Sequence, residues 1–60
     1  MRVRIDVGAG TFLPMCGTCG WRGLPALDRS EALHQARHHE LRAHPGDNDA
    51  ATALWKATRA

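Results

Sequence analysis

The chain lacks most of the devices that hold small proteins together. Cys16 and Cys19 are its only cysteines in 60 residues. Two residues separate them, so a bridge between them would close a loop too small to staple a fold, and no disulfide framework is available. The pair suits a reducing compartment, with cysteine acting as a metal ligand. No apolar run approaches the ~20 residues that cross a bilayer, and none follows Met1-Arg2-Val3-Arg4-Ile5-Asp6 to serve as a signal peptide. We therefore expect a cytoplasmic protein without a membrane partner. The formal charge of +2 is small, and a DNA-binding module usually carries a stronger basic bias. There is no internal repeat, no low-complexity tract, no Ser/His/Asp set and no phosphate loop. Val7-Gly8-Ala9-Gly10 begins like a dinucleotide loop, but Leu13 stands where the third glycine belongs and no helix pattern follows. These absences argue against an enzyme and against a small-molecule substrate.

What is present reads as one small α+β domain. Val3, Ile5 and Val7 alternate with polar residues, which predicts a strand with one buried side. Gly8-Ala9-Gly10 is a turn signal, and Thr11-Phe12-Leu13 reads as the second strand of a β-hairpin, with Pro14 suited to an edge or to the strand's end. Met15 to Gly20 forms the C-x-x-C turn, and Trp21-Arg22-Gly23-Leu24 an extended return. Asp28 with Glu31 three residues on is a capping-box pattern. The stretch from Arg29 to Ala43 holds neither Gly nor Pro, so it predicts the main helix, over about 29–43, stopped by His44-Pro45-Gly46. Asp47-Asn48-Asp49 opens a short second helix, over about 49–58, which would be marginal alone. A domain of residues 1–45 followed by a helical tail of 46–60 is the expected organisation.

A chain this short buries only about 60% of the surface exposed by its unfolded form, and needs further support. The spacing of Cys and His supplies a candidate. After Cys16-x-x-Cys19 come fourteen residues and then His34-x-x-x-His38. Zn²⁺ favours four tetrahedral thiolate and imidazole ligands. A turn presents two sulfurs two residues apart, and a helix presents two imidazoles four apart, on one face and about 40° from each other. Cys16, Cys19, His34 and His38 are therefore the expected ligands of one structural zinc. The side carrying His34, His38 and Leu41, with Leu27 if the helix starts early, is the expected docking face. His39 lies about 140° from His34 around the helix and is the competitor. His44 is an alternate ligand if the helix frays early. A redox pair would need a βαβ setting larger than this chain, and solvated histidines are the remaining alternative. Trp21 would shield the site from water.

This order of elements resembles the two-Cys/two-His zinc finger over Phe12 to His38. It is also similar to short zinc-binding proteins with a C-x-x-C-G-W motif in actinobacteria and their phages, matched here by Cys16, Cys19, Gly20, Trp21 and the Ala-rich helix with its histidines. The abundance of Arg, Ala and Gly agrees with a GC-rich coding genome. The spacing from Cys19 to His34 exceeds the finger's by two residues.

The finger resemblance would place Leu27, Arg29, Ser30 and Leu33 against base edges, where only Arg29 can pair well. The leading expectation is a non-enzymatic, zinc-stabilised interaction module that meets a protein partner through Leu33, Leu54 and Trp55. The alternative is a nucleic-acid-binding protein using Arg2, Arg4, Arg22, Arg29 and Arg37 on phosphates. Arg37 can also pair with Glu40, three residues on.

Overall fold

The computed structural model describes residues 1–59. Strand β1 (Val3–Val7) and strand β2 (Phe12–Cys16) form an antiparallel hairpin, followed by helix α1 (Arg29–Ala43) and helix α2 (Asp49–Thr58). The expected small α+β fold is present, with both helices at the expected bounds. In the hairpin, Val3 pairs with Cys16, Ile5 with Pro14 and Val7 with Phe12. Directly opposed residues share a face. Phe12, Pro14 and Cys16 therefore point with Val3 and Ile5 toward the helices, while Arg4, Asp6, Leu13 and Met15 face away.

The return segment adds an incomplete third strand on the far side of β2. Phe12 and Ala26 exchange both backbone hydrogen bonds at 2.8 Å, and a second bridge joins Met15 to Arg22. Three steps along β2 thus match four along the return, a one-residue bulge. Pro14 accounts for it. In the register set by Phe12 and Ala26, the residue at 14 should donate to Leu24, and proline has no N–H. Its carbonyl instead accepts from Gly23 N–H at 2.9 Å. The backbone of Leu24 is satisfied from α1: Gln35 Oε1 accepts from Leu24 N–H at 2.8 Å, and Gln35 Nε2 donates to the Leu24 carbonyl at 2.9 Å. Pro14 is consequently a buried mid-strand residue rather than the strand's end.

Asp28 caps α1, its Oδ1 accepting from Glu31 N–H and Ser30 Oγ at 2.8 Å each. The buried stripe of α1 is Ala32, Leu33, Ala36 and Glu40. This corrects the expected docking face. Ala36 lies about 160° around the helix from His34, and Leu41 and Leu27 are 55% and 80% exposed. Alanines let α1 approach the sheet and α2 closely, whereas the imidazole-bearing side cannot. Leu33, expected as a contact surface, is 3% exposed and belongs to the core; Leu54 is half-buried.

Glu40 explains why that stripe turns inward. Its side chain is fully buried. Oε2 accepts from Ala50 N–H at 2.9 Å, Oε1 from Ala51 N–H at 3.3 Å, and Arg37 Nη1 donates to Oε1 at 2.7 Å. Asn48, the residue preceding α2, makes no side-chain cap. A carboxylate from another helix therefore satisfies the N–H groups that open α2, where the helix dipole also favours negative charge. Burial pushes the Glu40 carboxyl up, but hydrogen bonds from Ala50, Arg37 and Ala51 outweigh it and hold the group below its ordinary value of 4.5. The short second helix is thereby docked rather than free.

Glu40→Ala should cost about 2–3 kcal/mol, since it strands the α2 amides and the Arg37 guanidinium. Thermal melts of the metal-loaded chain measure the loss, and faster exchange of the Ala50 and Ala51 amides localises it. Because the folded-state value is depressed, the contribution of Glu40 is complete above pH 4.5 and is lost as pH falls through the folded value.

Candidate metal centre

Four side chains converge where β2 ends and α1 finishes. The donor atoms of Cys16, Cys19, His39 and His44 all lie within 4.8 Å of one another. Cys16 is the last residue of β2 and faces inward by strand alternation. The chain then folds back at once: Gly20 N–H donates to the Cys16 carbonyl at 2.9 Å, and Cys16 N–H to the Trp21 carbonyl at 2.8 Å. Gly20 has φ +81°, a left-handed conformation that favours glycine, and it lets the turn swing the Cys19 sulfur back beside Cys16.

The imidazoles come from the end of α1. His39 is in its last regular turns, and His44 is the C-cap, with φ −132° and ψ 57°. Cys19 Sγ lies 3.3 Å from His39 Nε2, and Cys16 Sγ 3.5 Å from His44 Nε2. Donors on a tetrahedral ion with Zn–S near 2.3 Å and Zn–N near 2.0–2.1 Å stand about 3.3–3.8 Å apart. The closest S···N separations therefore match one ion's shell, and the donor set fits a metal. The two rings meet edge to face, with centroids 5.2 Å apart and planes at 72°. Trp21 stacks on His39, with ring centroids 4.4 Å apart and planes at 7°, which restricts the ring's rotation.

The electrostatics favour the ligating forms. Burial pushes the Cys16 thiol up, but hydrogen bonds from the Cys19 and Thr18 backbone and side chains hold it below its ordinary value of 9.0. A lowered thiol value makes thiolate available to a metal. Burial, followed by the charges of His44 and Arg42, holds His39 below its ordinary 6.5, so its imidazole is neutral at pH 7 and ready to donate a lone pair.

The structure does not bring His34 and His38 to the sulfurs. Both are exposed on the outer side of α1, where they line a shallow groove of about 730 Å³ with Trp21, Gln35 and Arg42. The sulfurs instead meet the two histidines weighed as alternates. Helical pitch selects pairs within a helix, and this pair straddles a helix end. Five residues apart on a regular helix, His39 and His44 would diverge by about 140°. Leaving the helix at position 44 removes that constraint. The signal was available: Pro45-Gly46 stops α1 just ahead of His44, and the His-x₃₋₅-His spacing of zinc sites admits a gap of four.

Two outcomes test the site. His39→Ala and His44→Ala should each abolish tight binding of one equivalent of metal, measured by competition against a colorimetric chelator, while His34→Ala and His38→Ala retain it. A second test concerns the support under Trp21. A Cβ on Gly23 would stand 2.5 Å from Gln35 Oε1, 2.7 Å from Pro14 Cγ and 3.0 Å from Trp21 Cη2. Gly23→Ala should therefore displace Trp21 from His39, changing tryptophan emission and weakening metal affinity by roughly tenfold, as for loss of an outer-shell support.

The site agrees with the two-Cys/two-His finger in donor composition and differs in which histidines serve. No protein-family model, curated protein or solved structure matches this chain.

Proposed function

We propose that this protein is a non-enzymatic interaction module held folded by one structural zinc ion. The convergence of two thiols and two imidazoles within 4.8 Å carries the reading. A set of two sulfurs and two nitrogens suits Zn²⁺, which such donors hold tetrahedrally, among common cellular metals. Four protein ligands fill its coordination shell, so no position remains for a water or substrate, and the metal supports structure rather than chemistry. Two thiolates neutralise the dication, which allows the site to lie partly within the core. Similarity to the short C-x-x-C-G-W proteins of actinobacteria and phages belongs to this proposal, as does a cytoplasmic location. Among the described residues, no helix is long and apolar enough to cross a membrane.

The apolar patch expected from the sequence as a partner surface is not intact. Leu33 is in the core and Leu54 is half-buried, leaving Trp55, 58% exposed, with the Arg59 guanidinium 4.8 Å over its ring. Finger-style base reading by α1 is also disfavoured, because Leu33 at one reading position is buried.

Metal removal tests the structural role. Apparent binding energies of roughly 10–16 kcal/mol at structural zinc sites exceed what so small a core supplies. Titration with a strong chelator should abolish the helical circular dichroism and the cooperative melt together, and readdition of Zn²⁺ should restore both. Survival of the helix signal and melt after full metal loss would refute the proposal.

A further inference from the structure

We infer that the open face of the hairpin binds the phosphodiester backbone of nucleic acid through Arg2, Arg4 and Arg22. The inference rests on reading the chain as an interaction module and supplies its partner. Arg4 is paired with Met15 in the hairpin, and Met15 is bridged to Arg22 on the return. Opposed residues share a face, so Arg4, Met15 and Arg22 form one row across the sheet. With strands about 4.8 Å apart, the Arg4 and Arg22 backbones lie roughly 10 Å from each other. Arg2 extends the row into a triangle: Gly17 N–H donates to the Arg2 carbonyl at 2.8 Å, continuing the register. A Cβ built on Gly17 would stand 3.3 Å from Arg2 Cβ and 3.6 Å from Arg4 Cδ, so both arginines flank the missing side chain. The recess there has a volume of about 520 Å³.

All three arginines are exposed, and among the described residues none is in an ion pair. Three of the chain's six acids are engaged elsewhere. Asp28 caps α1, Glu40 is buried on Arg37, and Asp47 holds the N-terminal ammonium. Asp6 shares the face at the far end of the hairpin, and Asp49 lines the recess together with Arg2, Val3, Arg4 and Gly17. The balance on the face is therefore positive although the chain's net charge is only +2. Guanidinium groups suit this task because each presents a planar fork of donors to phosphate oxygens. Contacts to phosphate oxygens give affinity without sequence choice.

The structure also separates these arginines from the other two candidates. Arg37 is committed to Glu40, and Arg29 lies by the groove between the hairpin's inner side and α2. The face is tied to the metal-binding turn at both ends. Arg2 N–H donates to Thr18 Oγ1 at 3.1 Å, and Arg22 follows Cys19 by three residues. The cysteine-bearing turn thus helps to position Arg2 and Arg22, neither of which belongs to the donor set.

Fluorescence anisotropy with zinc-loaded chain and short labelled oligonucleotides, single-stranded and duplex, tests the inference between about 50 and 200 mM salt. Three phosphate contacts predict a slope of log K against log salt of about −2 to −3. Arg2→Ala, Arg4→Ala and Arg22→Ala combined should remove both binding and slope, whereas Arg29→Ala, a basic residue off this face, should leave both nearly intact. Metal content and melts are measured separately for every variant. No salt-dependent binding by the folded, metal-loaded chain would overturn this inference and leave the structural metal reading standing. Equal losses from Arg29→Ala and the triple variant would also overturn it. So would polyglutamate competing as strongly as nucleic acid, which would assign the face to an acidic protein partner.

Discussion

The Glu40 carboxylate accepts from two amides of α2 and from Arg37 with its side chain fully buried. Ionised groups are costly to bury unless their lone pairs are met, and here they are met by a helix terminus and a guanidinium. This contact orients α1. Once position 40 must face α2, Ala32, Leu33 and Ala36 face inward, and positions 34 and 38 are turned to solvent. His39, one residue and about 100° away, is then brought to the side of the C-x-x-C turn. The arrangement of the metal donors thus follows from a contact that contains no metal ligand.

The same last turn of α1 serves two neighbours. Its side chains reach α2 through Glu40 and the sulfurs through His39, while the His44 N–H still closes the helix on the Glu40 carbonyl at 2.9 Å. A core built largely of Ala26, Ala32, Ala36 and Ala50 offers close approach but little apolar area. A buried carboxylate, together with the proposed metal at the Cys/His cluster, would contribute what larger side chains provide in a bigger domain. Polar interactions of this kind are directional, which makes the packing specific even though the hydrophobic core is small.

The legible parts of the sequence were those governed by local rules. Asp28 with Glu31, and Pro45-Gly46, fixed the limits of α1; Asp49 to Thr58 read correctly as a second helix; alternation at Val3, Ile5 and Val7 gave β1. The convergence of the two cysteines with two histidines was also readable from spacing. The choice among four histidines was not, because it depends on which side of α1 is buried. That choice is made by Glu40, a residue that looks like a surface partner of Arg37 until the position of α2 is known. The extension of β2 through Pro14 to Cys16 was hidden for a related reason. A proline reads as a strand end unless a neighbour can complete the backbone pairing that it cannot.

That neighbour is Gln35, whose amide accepts from and donates to Leu24 where Pro14 offers no hydrogen, with Gly23 left bare to admit the contact. Positions 14, 23 and 35 are distant in sequence and act as one unit of inheritance. A descendant that exchanged Pro14 for a residue with a backbone N–H would gain a donor for the Leu24 carbonyl, and position 35 would then need to supply only an acceptor for the Leu24 N–H. A descendant that lost Gln35 first would leave two backbone groups unpaired. The order in which these substitutions can accumulate is therefore constrained, and the three positions should be seen to covary as lineages of this chain diverge.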